Sequence, residues 1–199
     1  GAEQMNSQLS PAPGALAHLD AEYIVSKDPG TILGCDRVVF PGVGEARAAM
    51  ETLRSRGLEE GLVEFARTGK LLLGICIGCQ IALEYSEERD TKCLGLVPGR
   101  VKKFDTRKGF KVPHMGWNEV IPTREDPLFS GIPPGSSFYF VHSYYPEASE
   151  RKYELCYTEY ITRFSSCIRK DNVYAVQFHP EKSGRFGLEL LDNFLHLPD

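Results

Sequence analysis

A chain of 199 residues, 42% hydrophobic and 25% charged, is long enough to bury a full core in one domain and needs neither a structural metal nor a disulfide framework. Its formal net charge is −4, with Lys and Arg spread along the chain. That excludes a nucleic-acid stripe and a basic membrane patch, and leaves small molecules and proteins as partners. No apolar run approaches the roughly 20 residues that span a bilayer, and no charged-then-apolar signal pattern opens the chain, so the expected location is the cytoplasm. Most of the six cysteines (Cys35, Cys76, Cys79, Cys93, Cys156, Cys167) read as small buried hydrophobes.

Residues 1–14, GAEQMNSQLSPAPG, are polar and aperiodic and read as a leader or tag remnant, with 15–199 as a single domain. Ala15 to Leu19 reads as the end of a short helix, Glu22 to Ser26 as a strand and Asp28-Pro29-Gly30 as a turn. Arg37 to Phe40 is the next strand, closing in Pro41-Gly42-Val43-Gly44. Helical spacing follows over Glu45 to Arg56, with Ala46, Ala49, Met50 and Leu53 on one face, and over Leu58 to Arg67. Gly69 then launches the apolar run Leu71 to Ile75. Strands alternating with helices predict an α/β fold: three layers, a mostly parallel central sheet with flanking helices. Further on, Arg100 to Phe104 and Lys111 to Ile121 read as an antiparallel hairpin around Thr106 to Gly109. Phe138 to Tyr145 is a strand running into a loop, and Tyr153 to Thr162, Ser165 to Arg169 and Val173 to Phe178 are three more strands. A last helix spans Phe186 to Leu195, with Phe186, Leu190, Leu191 and Phe194 at core spacing.

Chemistry concentrates on KLLLGICIGCQIALE, Lys70 to Glu84. Gly74 and Gly78 lie two residues to either side of Cys76, the spacing of a strand-to-helix elbow that holds a nucleophile at the carboxyl edge of a sheet. Unpaired N–H groups at the helix start stabilise a thiolate there, and the Ile77 N–H faces an oxyanion forming beside it. A base must come from His18, His114, His142, His179 or His196. His179 precedes Pro180, which favours an extended backbone, so Glu181 two residues on faces the same way and can orient the imidazole. Cys76, His179 and Glu181 thus form a candidate Cys-His-Glu triad. Pro41-Gly42-Val43-Gly44 follows the preceding strand, which makes the Val43 N–H the candidate second oxyanion donor. Cys79 completes a C-x-x-C with Cys76 and leaves a dithiol reading open. No second Cys or His pair completes a zinc site, and no cofactor is expected.

PGVG, GICIGCQ and FHPEKS together resemble the class I glutamine amidotransferases, and KVPHMGWN (Lys111 to Asn118) and YFVHSYY (Tyr139 to Tyr145) look like the glutaminase subunit of imidazole glycerol phosphate synthase. The resemblance runs from about Ala15 to the end of the chain. It implies that Cys76 attacks the side-chain amide of L-glutamine, that His179 delivers a proton to departing ammonia and that Glu181 orients His179. It also implies that Gly42, Gly44, Gln80, Glu88 and the Ser143-Tyr144 backbone hold the substrate. Ammonia would pass to a cyclase subunit in a heterodimer, with Lys182 on the facing surface. Two departures stand out. Cys79 replaces a methionine, which suggests an oxidation-sensitive site, and residues 1–14 hold neither the apolar first strand of the family nor the loop behind it, so that strand is expected to be missing. The alternatives are a glutaminase serving another synthase, a non-catalytic interaction subunit, and a thiol oxidoreductase.

Overall fold

Every side chain of Leu71–Cys76 is apolar or small and all six residues are buried, as a strand covered on both faces requires. In the computed structural model, which describes residues 12–19, 21–42 and 44–198, this strand lies between two parallel neighbours. In chain order the elements are α1 (Ala12–His18), α2 (Pro29–Leu33), β1 (Arg37–Gly42), α3 (Ala46–Ser55), α4 (Leu58–Arg67), β2 (Leu71–Cys76), α5 (Ile77–Ala82), β3 (Tyr85–Ser86), β4 (Thr91–Lys92) and β5 (Gly99–Lys103). They continue with β6 (His114–Glu119), β7 (Ile121–Pro122), β8 (Ser137–His142), β9 (Tyr144–Ala148), β10 (Glu154–Tyr160), β11 (Thr162–Lys170), β12 (Val173–Val176) and α6 (Gly184–His196).

The main sheet has the order β1-β2-β12-β11-β10-β7. Pairing is parallel from β1 through β2 to β12 and antiparallel beyond. The α/β expectation therefore holds, with the parallel part confined to the three strands whose loops meet at one edge. Their register makes that edge level, since Gly42 stands opposite Cys76 and Val176 opposite Ile75. The loop after β1, the turn after β2 and the segment after β12 emerge side by side, where open α/β sheets place their sites.

Helices α3 and α4 match the spacing read from the sequence, burying Ala46, Met50 and Leu53 on one and Leu58, Gly61, Leu62 and Phe65 on the other. Helix α6 buries Gly187, Leu190, Leu191 and Phe194, with Phe186 half-buried beside them. Three local expectations are corrected. Glu22 to Ser26 forms no strand: it runs without regular structure and leaves Ile24 exposed, because a strand needs a ladder partner. Asp28-Pro29-Gly30 is the start of α2, capped by the Asp28 side chain on the Thr31 N–H.

The expected hairpin of Arg100 to Phe104 with Lys111 to Ile121 does not form either. A turn is present at Thr106–Lys108, with Gly109 at φ 78°, but both edges of β5 are occupied by β3 and β9. Strand β6 pairs instead with β8, from His114 opposite His142 to Glu119 opposite Ser137. Ser143 interrupts the strand expected from Phe138 to Tyr145, and β9 follows at once. Among the described residues no strand pairs with the outer edge of β1. Of the stretch read as a leader, residues 1–11 lie outside the described residues and 12–14 belong to α1. Nor, among the described residues, is any helix long and apolar enough to cross a membrane.

Candidate active site

The elbow predicted from Gly74 and Gly78 is present. Cys76 turns from β2 into α5 at φ 57°, ψ −110°, a region that costs a non-glycine residue about 1–3 kcal/mol and persists only where the surroundings enforce it. Enforcement comes from backbone packed on backbone. A Cβ on Gly78 would stand 2.1 Å from the Phe40 carbonyl oxygen, and one on Gly74 2.7 Å from the Gly78 carbonyl oxygen. Only glycine lets β1, β2 and α5 approach so closely. Helix α5 is six residues long, so its dipole is smaller than that of a long helix and the first peptide N–H groups carry most of the effect.

Gly42 sits against this turn: its missing Cβ would lie 2.7 Å from the Gly78 nitrogen. The loop after β1 is thus a neighbour of the elbow, as its position in the sequence suggested. Gly44 follows at φ 82°; Val43 lies outside the described residues. Ile77 is buried as the first residue of α5.

His179 enters from the segment behind β12. Its backbone is extended (φ −101°, ψ 96°), as the following proline favours. Two contacts hold that backbone: its N–H donates to the Tyr139 carbonyl at 2.9 Å, and the Ser183 hydroxyl donates to its carbonyl at 2.5 Å. Nδ1 lies 2.6 Å from Glu181 Oε1. A carboxylate only accepts, so Nδ1 carries the proton and Nε2 remains to take one. Burial disfavours the imidazolium, but the contacts with Cys76 and Glu181 outweigh it and raise His179 to about 9. Glu181 is fully enclosed, and its Oε2 is buried without a hydrogen-bond partner.

The residues assigned to substrate surround this centre. Gln80 is buried, and its amide Nε2 donates to the Tyr144 carbonyl at 2.9 Å and to Gln177 Oε1 at 2.8 Å. Its own Oε1 is buried and unpartnered. Ser143 is the break between β8 and β9, with Tyr144 the first residue of β9, and the Ser143 carbonyl accepts from the Phe104 N–H. Glu88 is half-buried and accepts from the Ala46 N–H at 2.8 Å, which caps α3; burial raises its carboxyl, the bond to Ala46 opposing. Tyr144 feels burial first and then the Glu88 and Glu45 charges, all raising its hydroxyl. Lys182 is exposed on the turn behind Glu181. Met115 and Trp117 are exposed on β6, and the Trp117 ring comes within 3.9 Å of where a Cβ of Gly184 would stand.

Cys79 lies one turn beyond Cys76 and is fully buried, and burial followed by the Cys76 charge pushes its thiol well above the ordinary range. The attacking species in dithiol exchange is a thiolate, so this environment works against the oxidoreductase reading.

Two groups of residues were not singled out in the sequence. Gln177 Nε2 lies 3.8 Å from Cys76 Sγ; its only signal is adjacency to Phe-His-Pro-Glu. His142 Nδ1 bonds the Tyr144 carbonyl at 2.8 Å, and its Nε2 lies 2.9 Å from His114 Nδ1. Alternation along FYFVH puts His142 on the core face with Phe138 and Phe140, a signal that was legible. Burial lowers His142 to about 3 and His114 to about 4, so both rings are neutral wherever the protein is folded near neutral pH.

A family model described as glutamine amidotransferase class-I matches residues 17–197. The imidazole glycerol phosphate synthase subunit HisH of Nitratidesulfovibrio vulgaris (strain DSM 19637 / Miyazaki F) is 47% identical over 186 residues, covering 90% of this chain and 87% of that one. Its counterpart from Nitrosococcus oceani is 49% identical over 173 residues, covering 86% and 82%. A crystal structure of a glutamine amidotransferase, 19% identical, superposes with a TM-score of 0.70 over 92% of this chain and 90% of that one, which shows the shared fold. A glycine-framed cysteine facing a carboxylate-held histidine, on a chain matched over nearly its whole length and almost half identical to HisH subunits, is explained by common descent: the chain belongs to the class I glutamine amidotransferases, among the HisH subunits.

Proposed function

We propose that this protein is the glutaminase subunit of an imidazole glycerol phosphate synthase. It hydrolyses L-glutamine to glutamate and ammonia, and passes the ammonia to a cyclase subunit that consumes it in making imidazole glycerol phosphate and AICAR for histidine biosynthesis. The likeness to HisH subunits over most of both chains supports the pathway. For the chemistry, the observation that carries the reading is the His179 imidazole held at 2.6 Å by Glu181, with Cys76 near enough for its charge to act on the ring.

In this reading the Cys76 sulfur attacks the side-chain amide carbon, its proton having passed to His179 Nε2. The resulting oxyanion takes hydrogen bonds from the Ile77 and Val43 N–H groups. As the carbon–nitrogen bond breaks, His179 returns the proton and ammonia leaves a thioester on Cys76. Water then attacks the thioester carbon while His179 takes its proton; the carbon–sulfur bond breaks, and glutamate departs. Throughout, Glu181 keeps Nδ1 protonated. Gly42, Gly44, Gln80, Glu88 and the Ser143-Tyr144 backbone hold the amino-acid end of glutamine, and Lys182 faces the cyclase. All six cysteines are free, which suits a reducing compartment, and we assign the protein to the cytoplasm.

The test is glutamate release from glutamine with and without the cyclase and its nucleotide ligand. Strong stimulation, lost in Cys76→Ala, is the expected result; equal rates in both mixtures would point to a free-standing glutaminase, and activity surviving in Cys76→Ala would remove the triad.

A further inference from the structure

We propose that Gln177 is a further catalytic residue: its carboxamide N–H donates to the Cys76 sulfur and stabilises it as a thiolate, both before attack and when the thioester breaks. This rests on the reading of Cys76 as the nucleophile.

A carboxamide beside a sulfur can present either its NH2 or its oxygen, and the surrounding bonds decide which. The Tyr144 carbonyl can only accept. It takes a hydrogen bond from His142 Nδ1 at 2.8 Å and another from Gln80 at 2.9 Å, so Gln80 must turn its NH2 toward Tyr144. The second N–H of that same group points at Gln177, whose oxygen receives it at 2.8 Å. With its oxygen so engaged, Gln177 presents NH2 to Cys76 Sγ, 3.8 Å away. Cys76, Gln80, His142 and Gln177 are all buried, Gln177 and Gln80 at 0% and 2% exposure, and Tyr144 is half-buried. Water therefore cannot substitute for the donor.

The His142 end is fixed in the same way. Since Nδ1 donates to Tyr144, Nε2 must accept, and it accepts from His114 Nδ1 at 2.9 Å; His114 Nε2 in turn receives the Asn118 amide at 3.2 Å. Acceptor and donor alternate without conflict from Asn118 to the sulfur. A buried donor gains most when its acceptor is charged. It therefore favours the thiolate over the thiol in the resting enzyme and lowers the cost of expelling sulfur from the second tetrahedral intermediate.

Two variants test this. Gln177→Glu keeps an acceptor for Gln80 and replaces the N–H that faces sulfur by oxygen; Gln177→Met removes both bonds. Alkylation of Cys76 by iodoacetamide, followed by mass spectrometry across a range of pH, reads the sulfur without using the glutamine-binding groups. The expected result is a rate at neutral pH about tenfold lower for the Glu variant and about three- to fivefold lower for the Met variant. In both, the profile moves to higher pH, and kcat for glutamine hydrolysis falls more than KM rises. Alkylation profiles that superimpose on wild type, with a raised KM alone, would overturn the proposal and leave Gln177 as a support for Gln80. Thermal melts establish folding, and the Met variant decides the matter if the Glu variant does not fold. If Cys76→Ala retains activity, the nucleophile reading itself fails; if Cys76→Ala is dead and the Gln177 profiles are unchanged, only this inference fails.

Discussion

Replacing His142 by glutamine removes a buried titrating ring while keeping a donor for Tyr144 and an acceptor for His114. In the folded protein burial sets His142 at about 3, the bond to Tyr144 opposing and the charges of His114 and His179 adding to the decrease. Unfolded, the ring returns to its ordinary 6.5. With the folded value depressed, the unfolded chain takes the proton first, so the contribution of His142 is whole above 6.5 and is lost as the pH falls toward 3. At about pH 5 the unfolded ring is charged and the folded one is not. The loss is then about 1.5 pH units at about 1.4 kcal/mol each, or ~2 kcal/mol. That figure depends on the unfolded value alone as long as the folded one stays below about 4. Urea unfolding of wild type and His142→Gln at about pH 7 and about pH 5 measures it, because the carboxylates titrate in both proteins and cancel in the difference, while folded His114, at about 4, and folded His179, at about 9, keep their charge state across that range. The stability advantage of wild type should shrink by ~2 kcal/mol on acidification. Parallel stabilities at the two pH values would refute the burial argument.

Glu181→Gln should leave the fold intact, bring His179 down from about 9 toward the ordinary range, and lower kcat by about 100- to 10,000-fold with little change in KM; an NMR titration of the imidazole and steady-state kinetics check both parts. Gly78→Ala places a methyl 2.1 Å from the Phe40 carbonyl oxygen and should cost about 3 kcal/mol or more, or prevent folding, whereas Gly95→Ala, with open space around it, should cost only the strain of its positive φ, about 1 kcal/mol; denaturant midpoints separate the two. Glu88→Gln retains an acceptor for the Ala46 N–H, so stability should hold within about 0.5 kcal/mol while loss of the charge raises KM for glutamine about 10- to 100-fold; an unchanged KM would detach Glu88 from the substrate.

The elbow and the pairing of His179 with Glu181 were legible because their constraints are local. Gly74, Cys76 and Gly78 span five positions, and His179 reaches Glu181 two residues away, so spacing and backbone preference suffice to describe them. The same holds for α3, α4 and α6, whose apolar faces repeat at helical period. Lys111 to Ile121 shows where local reading stops. Its turn formed where expected, yet its partner strand was β8 rather than β5, because pairing depends on which edges remain open once the rest of the chain has packed.

What the sequence by itself determined, then, is the pairing of His179 with Glu181 and the shape of the turn that presents Cys76; both follow from residues close along the chain. Only the tertiary structure decided that Gly42 stands level with Cys76, that Gln80 meets Gln177 across 97 positions, and that Gln177 meets Cys76 across 101. Those contacts join β1, the turn from β2 into α5 and the segment after β12, which are neighbours in space but far apart in sequence. The direction of each hydrogen bond among them is set by a single backbone carbonyl, that of Tyr144, which no periodicity or motif spacing encodes.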